Sequence, residues 1–175
     1  MDFRHEWKHE INIADTMILR QRLSAVMEKD THAIDGRYLV RSLYFDDPAD
    51  RALREKIDGV NRREKFRFRY YNQDPSWLRL EKKSKINGLC RKESTSLTPQ
   101  EAQSIIDGDL EWMMASAHPL VQELYIKMRT RGLRPKPSWI IRGKPFSTLP
   151  EMCALLWITI SVQDCFPPTF SIRTA

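Results

Sequence analysis

Cations occupy alternate positions in two neighbouring stretches of the sequence, REKFRFRYY and LRLEKKSK. Lys65, Arg67 and Arg69 alternate with aromatic residues in the first, and Glu81 and Lys83 share one face of the second. A period of two residues is typical of β-strands, so each set of charges lies on one face of its strand. Lys and Arg are the natural donors to phosphate oxygens. These residues predict a site for a multiply charged phosphate.

Carboxylates lie among the cations in the same alternating patterns. RHEWKHEIN places Glu6, Lys8 and Glu10 on one face of a predicted strand, and Glu81 lies beside Lys83. Carboxylate oxygens balance part of the positive charge, or they bind a divalent cation between phosphate oxygens. A single strand with outward cations is ordinary solvated sheet. The repetition of the pattern over at least four strands favours an anion-binding face.

The elements that must position these residues can be recognised from periodicity and capping signals. The patterns predict strands over 3–11, 37–47, 63–71, 77–85 and 89–94, and helices over 15–28, 47–59, 98–108 and 118–132. Asp15 and Thr98 are the predicted N-caps of the first and third helices, and Pro99 with Glu101 completes a capping box at the third. If helices cover the aromatic faces, the charged faces line a central tunnel. We therefore predict an α+β fold.

The composition indicates a soluble globular protein with a locally basic surface. The chain has 175 residues, 41% hydrophobic and 30% charged, with a net charge of +6. Between Arg51 and Lys92 there are 14 Lys and Arg against 5 Asp and Glu, a local excess of +9. The N-terminus is not a signal peptide, and the longest late apolar run is too short to span a bilayer. The expected location is cytoplasmic.

Five segments together resemble a known family, and each is weak alone. RHEWKHEIN, VRSLYFDD, REKFRFRYY, LRLEKKSKINGLCRKES and LRPK look like successive motifs of the polyphosphate polymerase (VTC) domain, of the CYTH-like triphosphate tunnel metalloenzyme superfamily. The resemblance implies a closed antiparallel β-tunnel wrapped by helices. It also implies ATP and polyphosphate as ligands, and transfer of the γ-phosphate of ATP to a polyphosphate chain. A divalent metal ion, Mn²⁺ or Mg²⁺, is the implied cofactor.

The resemblance also assigns roles to particular residues. The implied catalytic residues are Lys8, Arg67, Arg69 and Lys83. The phosphate-binding candidates are Arg41, Lys65 and Lys92, and the metal-ligand candidates are Glu6, Glu10 and Glu81. Some relatives act with a membrane-protein partner, and the oligomeric state stays open.

The last part of the chain departs from the family pattern. After LRPK the family continues with further tunnel strands, whereas residues 137–175 show no alternation and few charges. Back-translated codons read from their third base can give strings that resemble the missing strands. We infer a frameshift near residues 135–137. This divides the chain into a partial VTC domain over 1–136 and an aberrant tail over 137–175, and it predicts an incomplete, inactive tunnel.

Two other functions fit parts of the pattern. A triphosphate hydrolase of the same superfamily would carry E-x-E-x-K on its first strand, whereas Glu6, Lys8 and Glu10 are arranged differently here. A nucleic-acid-binding β-module would use aromatic residues beside basic ones. Because the aromatics of REKFRFRYY alternate to the face opposite the cations, no nucleic-acid partner is expected.

Overall fold

The computed structural model describes residues 3, 5, 9, 11–29, 38–72, 74–147 and 155–159, with the backbone alone at 28, 29, 38, 137–147 and 155–159. The described helices are α1 (Ile13–Val26), α2 (Arg51–Ile57), α3 (Pro99–Asp107) and α4 (Pro119–Arg131), with a 3₁₀ helix at Glu111–Ala115. The described strands are β1 (Glu28–Lys29), β2 (Tyr38–Asp46), β3 (Arg62–Tyr71), β4 (Asp74–Ile86), β5 (Leu89–Ser96), β6 (Arg134–Ser147) and β7 (Leu155–Thr159).

The strands form one antiparallel sheet. Its order is β6-β2-β3-β4-β5, with β1 continuing the edge of β6 next to β2. β7 pairs with the other edge of β6, since Arg142 and Gly143 have partners in both β2 and β7. Within the described residues the sheet is an open path from β7 to β5. The predicted α+β fold is confirmed, and the open sheet agrees with an incomplete tunnel.

One face of the sheet, the helix face, packs against α3, the 3₁₀ helix and α4. Phe66, Phe68 and Tyr70 of β3 are buried there, at 1%, 0% and 5% exposure. They meet Ile105 of α3 and Leu124 of α4, both fully buried. The alternation of β3 therefore places its aromatic residues inside, as the sequence predicts. The apolar area removed from water on this face holds the sheet in place.

The predicted capping signals of α3 are all present. The Thr98 hydroxyl accepts a hydrogen bond from the Glu101 backbone N–H, and the Glu101 carboxylate accepts one from the Thr98 N–H. Pro99 begins the helix, and Gly108 ends it with a φ of 89°. The bound backbone groups would otherwise lack partners at the helix ends. The two caps therefore fix where α3, which packs against the sheet, begins and ends.

The N-terminal region differs from the prediction. Positions 3, 5, 9 and 11 are not in regular structure and are exposed, and the other residues of the predicted first strand lie outside the described part. Helix α1 begins at Ile13 rather than Asp15, and its N-cap is Asn12, whose side chain accepts from the Asp15 N–H. α1 buries none of its residues. Apolar side chains of this helix, among them Ile13, Met17 and Val26, are therefore exposed.

The predicted domain boundary at 136/137 falls inside a strand. β6 begins at Arg134 and continues through residues 137–147, pairing with β2 along most of its length. Beyond it, the described residues add the five-residue strand β7. The frameshift itself stays a prediction. None of the helices in the described part is long and apolar enough to cross a membrane.

Candidate functional site

The register of β2 to β5 arranges side chains in rows on the face opposite the helices, which we call the cation face. The first row is Ser42, Arg69, Arg79 and Ser96; the second is Tyr44, Arg67, Glu81 and Ser94; the third is Lys65, Lys83 and Lys92. Directly paired residues of neighbouring strands share a face. The three rows therefore bring six cations and one carboxylate onto one surface.

Glu81 lies at the centre of the cation face and is 2% exposed. Its Oε2 lies 2.6 Å from Arg67 Nη2 and 4.0 Å from Arg69 Nε, and its Oε1 lies 2.7 Å from Lys92 Nζ. Burial tends to raise the pKa of Glu81, but the positive charges of Arg67, Lys92 and Arg69 outweigh it and lower the pKa below 4.5. Glu81 is therefore a buried anion held by three cations from two neighbouring strands.

Tyr44 borders the same group from β2. Its hydroxyl accepts a hydrogen bond from Arg67 Nη1 at 3.2 Å. The Lys65 ammonium lies 5.1 Å from its ring centroid. Burial opposes ionisation of the phenol, but Arg67, Lys65 and Arg69 together lower the pKa of Tyr44 below 10.0. Arg69 in turn donates from Nε to the Ser42 hydroxyl at 3.3 Å.

The three rows of the cation face hold six cations and one carboxylate, so positive charge is in excess among the described residues. Burial, with repulsion from Arg67, Lys56 and Lys83, lowers the pKa of Lys65 below 10.5 despite the nearby Tyr44. The Asp46 carboxylate, farther along β2, accepts hydrogen bonds from the backbone N–H groups of Ala52 and Leu53 in α2. Like charges held together in a partly desolvated place favour an anion that binds several of them at once.

Not every predicted residue lies on this face. The structure brings together Arg67, Arg69, Lys83, Lys65, Lys92 and Glu81. It places Arg41 on the helix face, where Nη1 donates to the Tyr70 hydroxyl at 3.1 Å. Arg41 alternates with Ser42, so the two point to opposite faces. Lys8, Glu6 and Glu10 lie outside the described residues.

The sequence analysis missed Ser42 and Tyr44 as members of the site. The signal was present in VRSLYFDD, where Ser42 and Tyr44 alternate with the apolar Leu43 and Phe45. Leu43 and Phe45 are each 1% exposed on the helix face. The same alternation excludes Arg41 from the cation face, since it shares parity with the buried pair.

The described residues do not form a site for a divalent metal ion. They contain no cluster of three or more His, Cys, Asp or Glu side chains able to hold one. Both carboxylate oxygens of Glu81 are already engaged by Lys92 and Arg67. A divalent cation needs several oxygen ligands, and cations at these distances would repel it. Glu6 and Glu10, the other two metal-ligand candidates, lie outside the described residues.

The family model of the VTC domain matches residues 3–139, which is more than half of the chain. The chain belongs to the VTC domain family. None of the curated proteins matches it. The match spans β2 to β5 and ends within β6, so it covers every described residue of the cation face.

Proposed function

We propose that the cation face binds the phosphate chain of ATP, polyphosphate or another triphosphate. The observation that carries the proposal is the excess of charge: six cations in three rows, with Glu81 as the one carboxylate in those rows. Each charge-assisted bond to a phosphate oxygen contributes roughly 1.5–3 kcal/mol. Membership of a family related to polyphosphate polymerases supports the same class of ligand.

The polymerase reaction itself, transfer of the γ-phosphate of ATP to polyphosphate, is the finer proposal for an intact tunnel. Phosphoryl transfer depends on positioning the transferred group and stabilising its charge from several sides. The described sheet is an open path and presents its cations from one side. We therefore propose that this chain binds phosphate chains and does not turn ATP over.

A nucleic-acid ligand is the weaker alternative on this surface. Stacking platforms need aromatic rings that are accessible beside the cations. Phe66 and Phe68 of β3 are buried under the helices. Tyr44 is partly buried between Lys65 and Arg67. Within the three rows the face therefore offers point charges for phosphate rather than open ring surfaces for bases, and the exposed ring of Trp77 lies outside those rows.

Isothermal titration calorimetry with sodium tripolyphosphate tests the binding proposal. Arg67→Gln removes the donor nearest the centre of the face and is expected to weaken binding roughly tenfold or more. Arg129→Gln is the matched control: Arg129 is a half-exposed arginine of α4, paired with Glu111 away from the cation face. Equal affinities of both variants and the wild type would contradict the proposal, as would tighter binding of single-stranded RNA than of tripolyphosphate.

A second assay separates binding from turnover. The wild-type chain is incubated with ATP, with and without Mn²⁺, and polyphosphate and inorganic phosphate are both measured. We expect neither product above the level of a protein-free control. Polyphosphate formation would show that one wall of cations suffices, and release of inorganic phosphate from ATP without polyphosphate would favour the hydrolase.

A further inference from the structure

Tyr44 contacts two cations of the face, one through its hydroxyl and both through its ring. Its hydroxyl accepts from Arg67 Nη1, and its ring centroid lies 5.9 Å from the Arg67 Cζ and 5.1 Å from the Lys65 Nζ. Among the described residues, no carboxylate lies within ion-pair distance of Lys65, and the ring of Tyr44 is its neighbour. A cation above a ring face is attracted by the quadrupole of the ring, which carries no net charge.

The guanidinium of Arg67 is held on two sides. Nε and Nη2 reach Glu81 Oε2 at 2.7 and 2.6 Å, and Nη1 reaches the Tyr44 hydroxyl at 3.2 Å. A planar fork anchored at both sides has one orientation, which lowers the entropy lost when it binds an anion. A second carboxylate in place of Tyr44 would anchor the fork equally well, but it would repel phosphate.

We propose that Tyr44 is a positioning residue of the phosphate site, acting on Arg67 through its hydroxyl and on Lys65 through its ring. This inference rests on the proposed function, because it concerns affinity for the same phosphate chain. It assigns to Tyr44 an anchoring role that adds no second carboxylate to the face. Glu81 supplies the charged partner of the Arg67 guanidinium, and Tyr44 completes the orientation of that guanidinium.

The other face of the same two strands contains a matched control. Arg41 Nη1 donates to the Tyr70 hydroxyl at 3.1 Å, and the Arg41 Cζ lies 5.9 Å from the Tyr70 ring centroid. This pair has nearly the geometry of Arg67 and Tyr44, but it lies on the helix face. Tyr70→Phe therefore removes the same kind of hydrogen bond away from the proposed site.

The test is calorimetry with sodium tripolyphosphate at one fixed salt concentration. Tyr44→Phe keeps the ring beside Lys65 and removes the hydroxyl, so we expect the Kd to rise on the order of three- to tenfold. Tyr70→Phe is expected to bind as the wild type does. In the Arg67→Gln background, Tyr44→Phe should weaken binding no further, because the hydroxyl acts through Arg67.

Each contrary result has a distinct meaning. If the wild type does not bind tripolyphosphate, the proposed function fails and this inference fails with it. If the wild type binds and Tyr44→Phe binds equally well, the positioning role alone is wrong. The role is also wrong if Tyr70→Phe weakens binding as much, or if the loss persists unchanged in the Arg67→Gln background.

A measurement on the folded wild type keeps the inference testable if Tyr44→Phe does not fold. The protein is labelled with 3-fluorotyrosine, and the Tyr44 fluorine resonance is assigned by elimination against Phe variants of the other four tyrosines. We expect this resonance to shift on addition of tripolyphosphate, while that of Tyr70 does not. A Tyr44 resonance that stays in place while tripolyphosphate binds would overturn the role.

Discussion

The two faces of the sheet formed by β2 to β5 both carry charged residues, but they balance them differently. On the helix face, Glu64 Oε2 lies 3.5 Å from Lys82 Nζ, and Glu64 Oε1 lies 3.6 Å from Arg131 Nη1. Glu64 also forms an ion pair with Lys127, and Glu123 forms one with Lys82. In this network two carboxylates form ion pairs with three cations. On the cation face Glu81 is the one carboxylate among six cations in the three rows.

This difference separates a structural ion network from a binding surface. On the helix face, the charges join α4 to the sheet, and most are partly buried. Partly buried charges are costly unless they are paired, so that network is nearly complete within the protein. Among the described residues, the three rows of the cation face hold six cations and one carboxylate, which leaves an excess of positive charge that an added anion can compensate. An ion pair alone therefore does not mark a site, whereas an unbalanced set on one face does.

The largest expected effect is a loss of stability on substitution of an apolar residue of the helix face. Phe68 is fully buried on the helix face and packs edge-to-face with Phe45 at 4.8 Å between ring centroids. Phe68→Ala should lower the free energy of unfolding by about 3–5 kcal/mol, because it leaves a cavity in the core. Urea unfolding measures this value. Arg79→Ala, at an exposed position of the cation face, should change it by less than about 0.5 kcal/mol, and similar losses for the two variants would contradict the assignment of the faces.

The second effect tests the charge network of the helix face. Glu64→Gln leaves Lys82, Lys127 and Arg131 with one charged partner fewer, and we expect a loss of roughly 1–3 kcal/mol in the free energy of unfolding. Glu111→Gln breaks a pair with Arg129 in which both side chains are largely exposed. That control should cost less than about 0.5 kcal/mol. Tripolyphosphate affinity should stay unchanged in both variants, and a weakened affinity in Glu64→Gln would mean that the two faces are not independent.

A third, smaller effect is the pH dependence contributed by Glu81. Because its pKa is lower in the folded protein than its ordinary value of 4.5, Glu81 contributes stability above that pH, and the contribution is lost as the pH falls through the folded pKa. Thermal unfolding is measured from pH 7 down to pH 3. The melting temperature of Glu81→Gln should therefore fall less steeply with decreasing pH than that of the wild type. Identical slopes would indicate that Glu81 is not held by Arg67 and Lys92 in solution.

Local patterns in the sequence predicted the parts of the fold that depend on neighbouring residues. The alternation in REKFRFRYY set which side chains of β3 are buried, and Thr98 with Glu101 set the start of α3. Both signals act within a few residues. The start of α1 was harder to predict, because Asn12 and Asp15 are both competent N-caps and only Asn12 is used.

The pairing inside the site could not be predicted in the same way. The contacts of Glu81 with Arg67 and Lys92 depend on the register of three strands, which is a non-local property. The alternation of charged and apolar residues predicted which face of its strand each residue occupies, but not which residue it pairs with on the neighbouring strand. Arg41 shows the opposite case: the family resemblance suggested a phosphate ligand, while its own strand parity puts it with Leu43 on the helix face.

The most direct test of the cation face is nuclear magnetic resonance of the arginine side chains in the wild-type protein. The Nε–H resonances of Arg67, Arg69, Arg41 and Arg91 are followed while sodium tripolyphosphate is added, with sodium chloride of equal ionic strength as the control. We expect Arg67 and Arg69 to shift in a saturable way, and Arg41 and Arg91 to stay in place. Saturable shifts confined to Arg41 and Arg91, or no saturable shift at Arg67 and Arg69, would contradict the claim that this face binds phosphate.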